Sequence, residues 1–128
     1  MIIKPDAVKA RHIGHIIARV EAEHFEITGL RCLHLTREQA EEFYAIHRER
    51  PFFEGLIRYI TSGSVVVGRL ECEGAVEHWR KVIGATDPKK SAPGTLRALY
   101  GIDIERNAVH GSDSVENGTV ETRFFFPE

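Results

Sequence analysis

The sequence predicts an α+β or α/β sandwich, a sheet with helices packed on it, and three observations predict it. Segments carrying an apolar stripe at helical spacing alternate with short extended segments along the chain. One stretch, Ser64-Val65-Val66-Val67-Gly68-Arg69-Leu70, is β-branched and apolar, the pattern of a central strand covered on both faces. The 128 residues are 42% hydrophobic and 28% charged, which suits one domain over residues 1–128 with a real core and no covalent staples.

Taken in order, Met1-Ile2-Ile3 reads as the stub of a strand that stops at Pro5. Ile13, Ile16, Ile17 and Val20 fall on one stripe, so an amphipathic helix follows. Phe25 to Leu35 alternates, with Ile27, Arg31, Leu33 and Leu35 on one side, and predicts a strand. Thr36 with Gln39 three residues later forms a capping box that opens a helix sharing Ala40, Phe43, Tyr44 and His47 on one face. Pro51 ends it, and Phe52, Phe53, Leu56, Ile57 and Ile60 predict a short helix before the Ser62-Gly63 break. After the central strand, Ala75 to Ile83 is helical with Gly84 just past its end. Residues 84–96 read as a loop containing Pro88 and Pro93, and Leu96 to Tyr100 as a brief helix. Asp113 is expected to cap a helix from Ser114 to Glu121, and Arg123-Phe124-Phe125-Phe126 to close the chain as a strand.

Composition narrows the function classes. Seventeen basic against nineteen acidic side chains give a net charge of −2, with no field for wrapping nucleic acid or lying on an anionic membrane. No apolar run approaches the roughly 20 residues of a membrane helix, and the start lacks the layout of a secretory signal. A cytoplasmic location is the expectation. Cys32 and Cys72 are too few for a disulfide framework and are expected as buried apolar thiols.

Three features bear chemistry. Arg80, Lys81, Lys89, Lys90 and Arg97 are opposed only by Asp87, and the same stretch carries Thr86 and Thr95. Arginine forks and lysine point charges suit a polyphosphate clamp, although a solvated loop has the same composition. In Asn107-Ala108-Val109-His110-Gly111-Ser112-Asp113-Ser114 an imidazole lies beside flexible backbone and a predicted helix start. A neutral imidazole is a nucleophile that can carry a phosphoryl group; the same string also reads as a helix cap with a histidine in the turn. Lys4-Pro5-Asp6 places a lysine at a strand end, either to reach a ligand above a sheet or as ordinary turn punctuation. The remaining histidines lack the spacing of a zinc site, no Gly-x-Ser-x-Gly elbow is present, and no P-loop occurs.

Together these segments resemble the nucleoside diphosphate kinase family. The residues that carry the resemblance run in the family's order: Ile3-Lys4-Pro5-Asp6-Ala7-Val8, Arg50-Pro51-Phe52-Phe53, Thr61-Ser62-Gly63, Gly84-Ala85-Thr86-Asp87-Pro88, Pro93-Gly94-Thr95-Leu96-Arg97 and the His110 block. The resemblance implies a ferredoxin-like α/β sandwich with a four-stranded antiparallel sheet covered by helices. It implies ping-pong transfer of the γ-phosphate of a nucleoside triphosphate, typically ATP, to a nucleoside diphosphate through phospho-His110.

It further implies that Lys4, Arg80, Thr86 and Arg97 bind phosphates and that Asn107 with Lys4 meets the sugar hydroxyl region. Phe52 would be the ring on which the base stacks, Tyr44 the residue abutting the nucleophile, and Ser112 with Glu121 the pair that orients His110. Mg²⁺ would be held mainly by the nucleotide phosphates, with no metal cage in the protein. The implied assembly is a homo-oligomer, tetramer or hexamer. The alternative is a non-catalytic nucleotide- or DNA-binding regulator on the same fold, whose nucleic-acid affinity would depend steeply on salt and not on His110.

Overall fold

The computed structural model describes residues 1–127. Its elements run β1 (Ile2–Ile3), α1 (Pro5–Lys9), α2 (Ile13–Ala22), β2 (Glu26–Leu33), α3 (Arg37–Phe43), α4 (Phe53–Ile60), β3 (Val65–Glu71), α5 (Ala75–Ile83), α6 (Leu96–Tyr100), β4 (Val109–His110) and α7 (Val115–Phe125). Short 3₁₀ turns occupy Ala45–His47 and Pro88–Lys90. The four strands form one sheet in the order β2-β3-β1-β4, and every pairing is antiparallel. The strand number and the antiparallel pairing are those the family resemblance implies, but the fourth strand is Val109–His110.

Each face of the sheet carries its own apolar cluster, because successive side chains of a strand point to opposite faces. Ile3, Val66 and Val109 meet Ile16 and Val20 of α2 and Trp79, Val82 and Ile83 of α5 on one face. Ile2, Val65 and Val67 meet Ala40, Ile57, Ile60 and Phe125 on the other. Three consecutive valines are therefore buried on alternating sides, as expected of a doubly covered central strand. The α2 stripe and the capping box also stand: Thr36 accepts from the Gln39 amide at 3.1 Å while the Gln39 side chain accepts from the Thr36 amide at 2.9 Å.

Several expectations are corrected. Arg123-Phe124-Phe125-Phe126 is no strand; the first three residues complete α7, which ends at Phe125 rather than Glu121. Burial of Phe125 against Ile2 and Tyr44 outweighs the β preference of three aromatic rings. Ser114, not Asp113, caps α7, its hydroxyl accepting from the Asn117 amide at 3.1 Å. Pro5 does not merely stop a strand but opens α1 as its first residue, where its fixed φ suits a helix start.

The alternation read along β2 breaks at a register shift between Ile27 and Gly29, so Ile27 packs toward one cluster and Leu33 toward the other. Cys32 is exposed and Cys72 half-buried, not core thiols. β2 is an outer strand whose residues 30–32 face solvent, and Cys72 follows the last residue of β3. Replacing Thr36 with Ala removes the cap of α3 and is expected to lower unfolding free energy by about 1 kcal/mol in urea titrations, with the slope unchanged.

Candidate active site

The site is built where β1 ends and β4 begins. Ile2 lies opposite His110, and opposite residues of an antiparallel pair share a face, so His110 stands on the side of α3, α4 and α7. The β4 pairing fixes its backbone, and the Trp79 indole N–H donates to the His110 carbonyl at 3.3 Å. Gly111 follows directly; a β-carbon there would lie 2.7 Å from Cδ1 of Trp79, so this turn has room only for glycine. Gly118, Glu121 and Phe125 follow helical spacing along α7, and Phe125 anchors that face in the core.

That anchoring aims Glu121 at the imidazole. Glu121 Oε1 is 2.7 Å from His110 Nε2 and accepts the Ser112 hydroxyl at 2.9 Å. The carboxylate holds the proton on Nε2, so Nδ1 carries the lone pair; Nδ1 has no hydrogen-bond partner among the described residues. The Glu121 side of the ring is closed. Ile2, Phe43, Gly68, Ser112, Glu121 and Phe125 leave a space of about 10 Å³ there, which is at most one water.

Burial pushes the His110 pKa below its ordinary 6.5, against the raising influence of Glu121 and with the Lys4 charge adding to the drop. Burial pushes Glu121 up, but the bonds from His110 and Ser112 outweigh it and hold the carboxyl below its ordinary value. The imidazole is therefore neutral at neutral pH.

Lys4, Asn107 and Arg97 form a second, interlocked group. The buried Lys4 ammonium donates to the Glu105 carbonyl and to Asn107 Oδ1, each at 2.9 Å, and keeps one N–H uncommitted. Burial lowers its pKa to about 8, leaving it mostly charged at pH 7. Asn107 is buried too, and its amide nitrogen donates to the Thr86 carbonyl at 3.0 Å, which ties the basic loop to the sheet. Arg97 on α6 donates to the Gly84 carbonyl at 3.1 Å and the Val109 carbonyl at 2.9 Å, while its Nε is buried without a partner. Burial, then the neighbouring Arg80 charge, lowers the Arg97 pKa to about 10.

Arg80 at the end of α5 is exposed and makes no hydrogen bond among the described residues, and the Thr86 side chain is exposed beside it in the loop. Phe52 is 52% exposed, its ring 5.6 Å from that of His47. Tyr44 is buried between Phe43 and His47, and burial, then the Glu121 charge, raises its phenol well above the usual range. The ring found edge-on to the imidazole is Phe43, at 5.8 Å between centroids. Sequence reasoning passed over Phe43 because its place on the apolar face of α3 reads as core. It passed over Trp79 for the same reason, although a buried indole N–H signals a needed acceptor.

A family profile described as nucleoside diphosphate kinase matches residues 1–128. The chain belongs to the nucleoside diphosphate kinase family. It is 53% identical over 126 residues to the nucleoside diphosphate kinase of Paracidovorax citrulli, covering 98% of this chain and 89% of the relative. It is 54% identical over 127 residues to that of Bordetella petrii, covering 99% and 90%. Among solved structures, the Aquifex aeolicus nucleoside diphosphate kinase superposes with a TM-score of 0.95 at 44% identity, covering 98% of this chain and 91% of that one.

The Halobacterium salinarum enzyme, solved in complex with CDP, gives a TM-score of 0.94 at 38% identity, covering 99% and 85%. The fold is thus the ferredoxin-like fold of this family, and the function is that of a nucleoside diphosphate kinase, a nucleotide-binding phosphotransferase of nucleotide metabolism that needs a divalent cation. No helix among the described residues is long and apolar enough to cross a membrane.

The electrostatics set the protonation of His110. Because burial disfavours the imidazolium, the neutral ring persists below pH 6.5. Nuclear magnetic resonance titration of His110 should give a midpoint under that value. In Glu121→Gln the raising carboxylate is lost while burial stays, so the midpoint should fall further.

Proposed function

We propose that this kinase works by ping-pong transfer through His110 Nδ1. The observation that supports it is the Ser112–Glu121–His110 chain, which occupies Nε2 and closes that side of the ring. In the first half-reaction the Nδ1 lone pair forms a bond to the γ-phosphorus of a nucleoside triphosphate, such as ATP. The bond from that phosphorus to the bridging oxygen breaks, and the diphosphate leaves with the electron pair. In the second half-reaction the terminal oxygen of another nucleoside diphosphate takes the phosphoryl group and returns the lone pair to Nδ1. Glu121 keeps the Nε2 proton in place and stabilises the positive charge that grows on the ring.

Lys4, Arg80, Thr86 and Arg97 bind the phosphates in this reading. Lys4 keeps a spare N–H, and Arg97 is already fixed by two carbonyls, so little ordering remains at the moment of reaction. Arg80, exposed at the end of α5, closes over the bound chain of phosphates in this reading. Asn107 with Lys4 meets the sugar hydroxyls, and Tyr44 backs the nucleophile through Phe43. Phe52 offers one open face to the base, which supports acceptance of several nucleotides because every base presents a π surface.

The divalent cation is taken as Mg²⁺. Among the described residues no three His, Cys, Asp or Glu gather as a metal cage, and besides the Glu121 carboxylate the charges acting on His110 are the amino terminus and Lys4. That donor set fits an ion carried by the phosphates themselves, where it would neutralise their charge. Residues 1–128 form one such domain, acting in the cytoplasm as a homo-oligomer, tetramer or hexamer.

Incubation with γ-labelled ATP should produce an acid-labile, base-stable phosphoprotein that discharges on adding GDP, and His110→Ala should abolish it. Retention of label without discharge would make the protein a phosphocarrier for another acceptor and overturn this reading. Phe52→Ala should weaken ADP, GDP and CDP alike, by about 1–3 kcal/mol each in calorimetric titrations.

A further inference from the structure

The geometry points to a positioning device behind the nucleophile: Tyr59 and Asp6 latch the strained turn at Ala108 and so aim Asn107 and His110. The inference rests on the reading of His110 as the phosphate carrier.

Ala108 is fully buried and has φ 74°, a region that a β-carbon disfavours. The following amide closes a three-residue turn, Val109 N–H donating to the Asn107 carbonyl at 2.9 Å. A γ-turn with positive φ at its centre is rare. Nothing in alanine favours that shape, so its surroundings must impose it. Both polar groups of Ala108 are held from outside. Its carbonyl accepts from the Lys4 amide at 2.8 Å, and its N–H donates to Asp6 Oδ2 at 3.0 Å.

The Lys4 contact continues the strand pairing of β1. The Asp6 contact is different, because a side chain in the first turn of α1 could rotate toward solvent. Tyr59 on α4 prevents that: its hydroxyl donates to Asp6 Oδ1 and accepts from the Asp6 amide, the latter at 3.0 Å. Burial, then the bond its hydroxyl donates to the Asp6 carboxylate, raises the Tyr59 phenol far above the usual range, so it remains a donor throughout physiological pH.

The turn sits between the two groups that matter. Asn107 precedes it, held on Lys4 and Thr86, and His110 follows two residues later. A loosened turn displaces both. Tyr59 meets neither the imidazole nor Asn107 directly. It is a positioning residue, and its ring also faces the Lys4 ammonium, 5.6 Å from the ring centroid.

Tyr59→Phe keeps that ring and removes only the hydroxyl. Single-turnover phosphorylation by γ-labelled ATP, run well below each variant's unfolding midpoint, should slow by roughly tenfold or more, with kcat falling more than KM rises. Ala108→Gly supplies a residue that holds positive φ unaided. The double variant should therefore return to within about threefold of Ala108→Gly alone.

Wild-type rates in Tyr59→Phe, or a double variant no faster than Tyr59→Phe, would overturn the latch. Amide exchange of Ala108, read against Val66 in the unliganded protein, tests it independently of catalysis. Selective acceleration in Tyr59→Phe supports the latch, and unchanged exchange refutes it. Failure of the wild-type protein to phosphorylate His110 would instead refute the kinase chemistry, leaving the exchange result to judge the turn.

Discussion

The whole site hangs on two residues that are paired on both sides. Ile2 and Ile3 bond to Val67 and Val66 of β3 and to His110 and Val109 of β4. Both side chains are buried, one in each cluster, and each contributes roughly 1.5–3 kcal/mol by burial alone. This doubly held pair sets the register of β4, and β4 is too short to set its own. Lys4 follows at once, so the same constraint that presents the imidazole also places the ammonium that neighbours it.

In the proposed reaction, phosphates would be handled by side chains rather than by a glycine-rich backbone cradle. The side chains are prepared unequally. Lys4 and Arg97 are buried and anchored on carbonyls, and their pKa values fall as a result. Arg80 and Thr86 stay in solvent. A fixed inner pair with a loose outer pair suits a site that must hold a charged group firmly and then release the remainder.

Much of this was legible in the sequence because it followed local rules. The Ile13–Val20 stripe, the Thr36–Gln39 box and the valine run each announce their element by spacing alone. The motif block around His110 carried the family resemblance. What escaped was decided by distant contacts. Nothing local to Val109-His110 marks a strand, because its pairing partner lies at the other end of the chain. The Phe124–Phe126 rings read as a strand until Phe125 is seen buried beneath Ile2, and only the helical course brings Glu121 to the imidazole. Cys32 reads as core by type, but β2 is an edge. Asp6 looked like turn punctuation because its hydrogen bond reaches Ala108, about a hundred residues away in sequence.

The close fit between Gly111 and Trp79 ties two positions together over evolutionary time. Any methyl at 111 must displace the indole that steadies the carbonyl of His110. A lineage that shrank the tryptophan would acquire freedom at 111 but surrender that support. The two sites should thus drift jointly or stay still.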